Sequence, residues 1–312
     1  MTDLHITVVF SSYNGTKRLQ RMLDSLVKQD LAHDQWDVIA VDNNSSDGTG
    51  ELLRSYVDTL PLTVMTQTMP GKSAALNAAL ELTRGTLIVL TDDDIRAEPD
   101  WLSSLADCAR KNPQFGILGG RILPEWEHSP EGEFLDWIPM GSTFAIVDDA
   151  VSGPCESTKV WGPNTAIRRE ALADIRYRED MGPVPGGHFA MGEDQDIVMR
   201  LAARNVTAYR CAEAVVHHWI AASSVSEDWV QKRGERLGYG VPALFPNDVP
   251  AGPRIAGVPF KTWIESANWA LRAALLYPLP RSKKRFWAIW KYYYMRGYRA
   301  GIRRYAPQTL AR

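Results

Sequence analysis

Cysteine is scarce in this chain of 312 residues: Cys108, Cys155 and Cys211 stand far apart, with no C-x-x-C pair. That usage argues against a zinc site or a disulfide framework, and the expectation is free thiols in a reducing, cytoplasmic compartment. Long apolar runs are missing too. No uninterrupted stretch approaches the roughly 20 residues of a membrane-spanning helix. The first apolar run, residues 6–10, is short and follows Asp3, so no secretory leader is expected. G-x-G-x-x-G is absent after the first two strand-like runs, which counts against a dinucleotide-binding enzyme. The phosphate-cradling G-x-x-x-x-G-K-[ST] is absent as well, because Thr66 stands where Gly71-Lys72-Ser73 would need an earlier glycine. Acidic residues disappear from 266–312, which holds eleven of the 35 Lys and Arg, so the first 265 residues carry 24 basic against all 37 acidic side chains. An acidic body with a basic tail points to an anionic surface as partner.

What remains is ordinary globular composition, 45% hydrophobic and 23% charged, enough for one large domain with an appendage. β-rich runs at 5–10, 37–41 and 62–65 alternate with helical spacing such as Leu19, Met22, Leu23, Leu26 and Val27, and with the Ala-rich stretch 72–82. This β-α-β-α-β-α-β order predicts a mostly parallel sheet with helices on both faces. The fourth strand, Leu87-Ile88-Val89-Leu90, runs through Thr91 into Asp92-Asp93-Asp94. In open α/β sheets ligands gather beyond the carboxyl ends of the strands. Three adjacent carboxylates there repel one another unless they share a cation, and Mg²⁺ or Mn²⁺, which would also hold a phosphate, suits them. A solvated acidic turn before the helix near Pro99 accounts for the same letters.

Other residues carry two readings each. Asp42, just past the second strand, suits either a hydrogen bond from a nucleotide base or an Asx turn. Lys72, near a helix start, is placed to meet a phosphate or base. Glu193-Asp194 opens a helix, either as a cap or as a carboxylate kept ionised for general-base work. His217 and His218 follow a strand-like run, as hydrogen-bonded structural residues or with one of them as a metal ligand. Two irregular segments, 124–160 and the Gly/Pro-rich 181–188, have the character of functional loops.

In their order and spacing these pieces resemble a family 2 glycosyltransferase of the GT-A fold. V-V-F-S-S-Y-N-G, V-D-N-N-S-S-D-G-T and G-K-S-A-A-L-N-A-A-L are similar to the family's nucleotide-binding half, and T-D-D-D to its metal-binding D-x-D. W-G-P-N-T-A-I-R-R-E resembles the acceptor-side segment, G-E-D-Q-D-I-V-M-R-L the motif whose Asp is the catalytic base, and A-V-V-H-H-W the segment after it. The resemblance implies an α/β GT-A domain over 1–240, with a nucleotide-sugar half at 1–98 and an acceptor half at 99–240, then a helical extension at 241–312. It implies that Ser12, Asp42, Asn44, Lys72, Asp92 and Asp93 line the nucleotide, and that Asp94, with Asp92 and His218, holds Mn²⁺ or Mg²⁺. Trp161, Gly162 and Asn164 would face the acceptor, and Asp194 would be the general base, oriented by Glu193. The implied reaction is metal-dependent, inverting transfer from a nucleotide-diphosphate sugar, with UDP expected, to a hydroxyl of a glycan or lipid-linked acceptor. Competing readings are a non-catalytic glycan-binding protein and a sugar-phosphate nucleotidyltransferase. The second needs a Gly-rich basic loop where Ser11-Ser12-Tyr13-Asn14-Gly15 stands.

In the tail, a basic cluster at 281–285 precedes Phe286, Trp287, Ile289, Trp290, Tyr293, Tyr294 and Tyr298 at helical spacing. That pattern predicts an amphipathic helix over 281–304. It suits anionic lipid at the inner face of the cell membrane, or packing on the body or a second subunit. No nucleic-acid recognition pattern accompanies it.

Overall fold

The computed structural model describes residues 4–129, 133–187 and 189–306. His188 of the Gly/Pro-rich loop and the end of the basic tail lie outside the described residues. The strands that position the site are β1 (Ile6–Ser12), β2 (Trp36–Asp42), β3 (Leu62–Thr66), β4 (Leu87–Leu90), β5 (Ile95–Ala97), β6 (Ile117–Trp126), β7 (Gly153–Cys155), β8 (Thr165–Arg168) and β9 (Ala208–Ile220). They form one nine-stranded sheet in the order β3-β2-β1-β4-β8-β6-β9-β5, with β7 paired to β9.

The first four strands pair in parallel, as the β-α alternation predicts. The second half is mixed: β8 runs antiparallel to β4 and β6, and β9 runs parallel to β6 but antiparallel to β5 and β7. Only Thr91–Asp94 separates β4 from β5, too short for the crossover that a parallel partner needs, so β5 joins β9 instead.

Alternation along β1 sends Val8 and Phe10 to one face of the sheet and Val9 to the other. The first face is covered by Leu19, Met22 and Leu23 of helix Thr16–Leu26 and by Trp101 and Leu105 of helix Trp101–Lys111. The second is covered by Ala75, Leu76 and Ala79 of helix Lys72–Leu80 and by Ile197 and Leu201 of helix Glu193–Ala203. Each large side chain so buried contributes about 1.5–3 kcal/mol. Strand order reverses at β1, with β2 on one side and β4 on the other, and a crevice opens at such a switch point. Register there is Ser12 opposite Asp42 and Val9 opposite Leu90, which carries the three aspartates up beside Ser12.

By internal packing the chain divides into two compact units. The first holds the whole sheet: the residues up to Glu127, Met140–Glu179 and Asp194–Ile220. The second comprises His128–Pro139, Asp180–Glu193 and the described residues from Ala221 onward. This division differs from a boundary at 240, because helix Glu227–Leu244 packs along helix Lys283–Tyr305 within the second unit. A Cβ on Gly238 would strike the Tyr294 carbonyl, and one on Gly297 the Glu235 carbonyl, so the two backbones touch where they cross. Gly234 likewise leaves room for the Trp290 ring. Phe286, Ile289, Trp290 and Ile302 are buried. The expectation that the apolar face of 281–304 lies in a bilayer is therefore corrected: protein covers it. Among the described residues, no helix is long and apolar enough to cross a membrane.

The expectation of three free thiols is also corrected. Cys108, on helix Trp101–Lys111, is disulfide-bonded to Cys211 on β9, with Cα atoms 6.0 Å apart; Cys155 is free. The bond ties a helix to the strand it covers, and it removes the support that cysteine usage gave to a reducing compartment. It links residues 103 apart in sequence, and bonds of that kind contribute typically about 2–4 kcal/mol by constraining the unfolded chain. Treatment with a phosphine reductant should lower the thermal midpoint by several degrees. Cys108→Ala should lower it similarly and make it insensitive to reductant. An unchanged midpoint on full reduction, checked by thiol titration, would count against a stabilising bridge.

Candidate active site

At the end of β4 the three aspartates part company. Asp92 Oδ1 lies 2.7 Å from Lys72 Nζ. Asp93 turns inward: Arg18 Nε donates to its Oδ1 at 2.8 Å and Ser12 Oγ donates to its Oδ2. Burial pushes the Asp93 pKa up to about 6, although Arg18 pulls the other way. Asp94 turns toward His218, whose Nε2 stands 3.4 Å from Oδ1. The three carboxylates thus do not converge on one cation; each faces a different one. Ser12 and Asp93, expected against the nucleotide, are engaged with each other in the interior.

Lys72 begins its helix directly after Gly71, whose φ of 128° suits a residue without a side chain. The turn is held by Asn43: Gly71 N donates to its Oδ1 at 2.8 Å, and its Nδ2 donates to the carbonyls of Gln67 and Met69. From there Lys72 Nζ spans the crevice, 3.2 Å from Asp194 Oδ2 on the far side. Asp194 lies in the first turn of helix Glu193–Ala203. A Cβ on Gly162 would come within 2.1 Å of Asp194 Oδ2, so the glycine makes room for that carboxylate. Glu193 is buried, its Oε2 accepting from the Gly192 N–H at 3.2 Å.

Asp42 ends β2 with Oδ1 accepting from Ser45 N at 2.9 Å, while Asn44 is exposed and left-handed at φ 62°. Trp161 is partly buried against the core. Asn164 differs from the expectation that it meets an acceptor. It is wholly buried, its Nδ2 donating to the carbonyls of Arg121 and Ala214 and its Oδ1 accepting from Trp101 Nε1. Those carbonyls lie where the β6–β9 register slips between Gly120 and Arg121, so Asn164 braces an irregularity of the sheet. His217 pairs with Glu98, at 2.7 Å, and His218 alone faces Asp94. Arg18 and Asn43 escaped the sequence reading, since neither stands in a spacing that announces a partner dozens of residues away.

The donor set around Asp94 fits a hard divalent cation. Asp94 Oδ1 is buried and accepts no well-formed hydrogen bond. His218 Nδ1 lies 2.7 Å from the Phe144 carbonyl, which only accepts, so Nδ1 carries hydrogen and Nε2 is directed at Asp94. Two acceptor atoms that close call for positive charge, either a proton on Nε2 or a metal ion. Burial opposes charge on His218, yet Asp94 holds its pKa above the ordinary value. Burial likewise opposes charge on Asp94, yet His218 and then Arg18 and Lys72 hold its carboxyl below the usual range. Among the described residues no group of three or more His, Cys, Asp or Glu is placed to hold a metal ion. Asp94 and His218 alone could furnish only part of a metal's coordination shell.

Comparison with known proteins agrees with this architecture. Residues 7–176 match the family model described as "Glycosyl transferase family 2". The chain is 24% identical over 226 residues, 72% of its length and 82% of the relative's, to a putative teichuronic acid biosynthesis glycosyltransferase of Bacillus subtilis. It is 38% identical over 177 residues to a glucosyl-dolichyl phosphate glucuronosyltransferase of Haloferax volcanii, spanning 54% of each chain. Among solved structures, a mannosyltransferase from Pyrobaculum calidifontis, in complex with GDP-Man and Mn²⁺, superposes with a TM-score of 0.61 at 20% identity, over 95% of this chain and 86% of its own. That likeness establishes the fold as GT-A, and the family match establishes that this chain belongs to glycosyl transferase family 2.

Proposed function

We propose that this chain is an inverting, metal-assisted glycosyltransferase that moves a sugar from a nucleoside-diphosphate donor, UDP-linked in the first instance, to a hydroxyl of a glycan or lipid-linked acceptor. The observation that carries this reading is the position of Lys72, between Asp92 and Asp194 at the switch point of the sheet. One ammonium group there is shared by a donor-side carboxylate and a candidate base, which is the proximity that transfer to an incoming hydroxyl requires. The Mn²⁺ and GDP-Man in the mannosyltransferase structure and the dolichyl-linked substrate in one relative's name support the donor chemistry and the acceptor class.

In this reading Asp42 accepts a hydrogen bond from the base, with Asn44 beside it, and Lys72 meets the diphosphate. Asp94 Oδ1 and His218 Nε2 would hold Mn²⁺ or Mg²⁺, which when bound supplies Lewis-acid neutralisation of the leaving diphosphate. Asp93 binds nothing directly; its pairing with Arg18 and Ser12 fixes the β4 end from which Asp92 and Asp94 project. Asp194 takes the proton of the acceptor hydroxyl as that oxygen attacks the anomeric carbon from the side opposite the diphosphate, so the configuration inverts. Trp161 and Gly162 form the acceptor side, with Gly162 keeping space for Asp194.

Three measurements test the assignments. In calorimetric titration, UDP or GDP should bind in the presence of Mn²⁺ and lose affinity with EDTA, and Asp94→Asn should weaken metal-supported binding at least tenfold. Equal affinity with and without metal would remove the cation from the mechanism. Asp194→Asn should keep the fold and the nucleotide affinity while transfer falls by about 10²-fold or more. Near-normal turnover would leave Asp194 as a helix-start residue only. Gly162→Ala should displace the Asp194 carboxylate and cut turnover by roughly 10–100-fold with little change in nucleotide binding. Wild-type turnover in that variant would show that the close approach has no catalytic consequence.

A further inference from the structure

The helix Phe260–Leu276 and the turn after it present an apolar face that its own unit leaves open. Phe260, Ile264, Leu271 and Leu275 are all exposed, and at 100° per residue they fall within about 60° of one another around the helix. Leu271 is 60% exposed and Leu275 64%, followed by Tyr277 at 66% and Leu279 at 51% in the turn. Arg285 holds that turn in shape, donating from Nε to the Tyr277 carbonyl at 3.1 Å and lying over the Tyr277 ring. Contiguous apolar exposure of this kind marks a docking surface rather than scattered surface leucines.

Charge identifies what docks. Arg272 is exposed on the same helix, Lys283 and Lys284 are exposed a few residues after Leu279 in the chain, and no acidic residue occurs after Glu265. Lys283 and Lys284 open the helix Lys283–Tyr305, whose first turn holds no acid. Cations at a helix N-terminus oppose the macrodipole and weaken the helix, so their placement there is not explained by folding. A protein partner would match the apolar strip with local shape. A surface that is apolar within and anionic at its rim matches the strip and the basic fringe together. We propose that residues 260–284 dock on an anionic lipid bilayer, with Leu271, Leu275, Tyr277 and Leu279 entering the interface and Arg272, Lys283 and Lys284 at the headgroups. This surface is distinct from the aromatic face of 286–302, which protein covers.

Vesicle sedimentation tests it. The full chain should sediment with phosphatidylcholine vesicles containing phosphatidylglycerol, weakly with phosphatidylcholine alone, and less in high salt without losing binding entirely. Lys283→Gln with Lys284→Gln should lower the partition coefficient about fivefold per residue on anionic vesicles. Leu271→Ser with Leu275→Ser should lower it roughly a hundredfold on either vesicle. Circular dichroism checks that both variants fold; should the leucine pair unfold, the lipid, salt and lysine arms decide the question alone. The proposal falls if the wild type stays in the supernatant with anionic vesicles, or if folded variants sediment as it does. It falls equally if light scattering shows a dimer that the leucine variant dissociates while vesicles bind neither, which assigns the face to a second copy.

Discussion

Three consecutive carboxylates at one strand end must each find positive charge, and the organisation of the site follows from how they do so. A shared cation would be the shortest solution. The chain instead separates them: Lys72 answers Asp92, Arg18 answers Asp93, and His218 faces Asp94. Those partners come from the helix after β3, the helix after β1 and the far end of β9, so satisfying the charges fixes three remote segments around β4. The inner pair matters most for geometry. Burying Asp93 and Arg18 costs desolvation that their attraction only partly offsets, so the pair contributes little net stability. It acts instead by setting the direction in which the two flanking carboxylates leave.

The sheet supplies the scaffold on which this works. Because β1 lies between β2 and β4 in parallel register, Ser12, Asp42 and the aspartates emerge at one edge. The turn that delivers Lys72 hangs from Asn43, the residue after β2, through three hydrogen bonds. Gly162 and Gly15 then omit the side chains that would collide with Asp194 and with Ser12 and Asp93. The side chains of the candidate site are thus held by residues that have no chemistry of their own, and a substitution among them acts on the site through displacement.

Much of this was legible in the sequence because it is periodic. Apolar alternation and the β-α order predicted the parallel half, and T-D-D-D marked the end of the fourth strand, where Asp92, Asp93 and Asp94 part. What periodicity does not carry is side-chain direction beyond a strand. Neighbours in sequence point different ways, so Asp92 and Asp94, expected on one metal with His218, and Asp93, expected on the nucleotide, form three separate pairs. Residue patterning left His217 and His218 open and only the family resemblance favoured His218; pairing with β5 sets His218 opposite Ile95, and His217 pairs with Glu98. Asn164 was implied by the resemblance to face the acceptor. It is buried because a slip of register leaves two carbonyls that only a nearby amide can satisfy. Cys108 and Cys211 lie 103 residues apart, and no pattern in between announces that helix and strand meet.

The tail shows the same limit from another side. An amphipathic pattern states that a face is apolar, not what covers it, and a bilayer and a helix leave the same imprint on spacing. A finer signal was present in the glycines. Gly234 and Gly238 are one helical turn apart, as are Gly297 and Gly301, and small residues at that spacing cut a groove for a neighbouring backbone. A lipid surface has no use for such a groove, whereas a second helix needs it. The glycines therefore assign the aromatic face of 283–305 to helix Glu227–Leu244, and that pairing consumes the apolar residues that looked most suited to a membrane. Helix Phe260–Leu276 has no glycine along its length, and its leucines project outward without a matching groove. Within this unit the paired glycines thus mark one face shaped for a neighbouring backbone, while the exposed leucines of helix Phe260–Leu276 have no such counterpart.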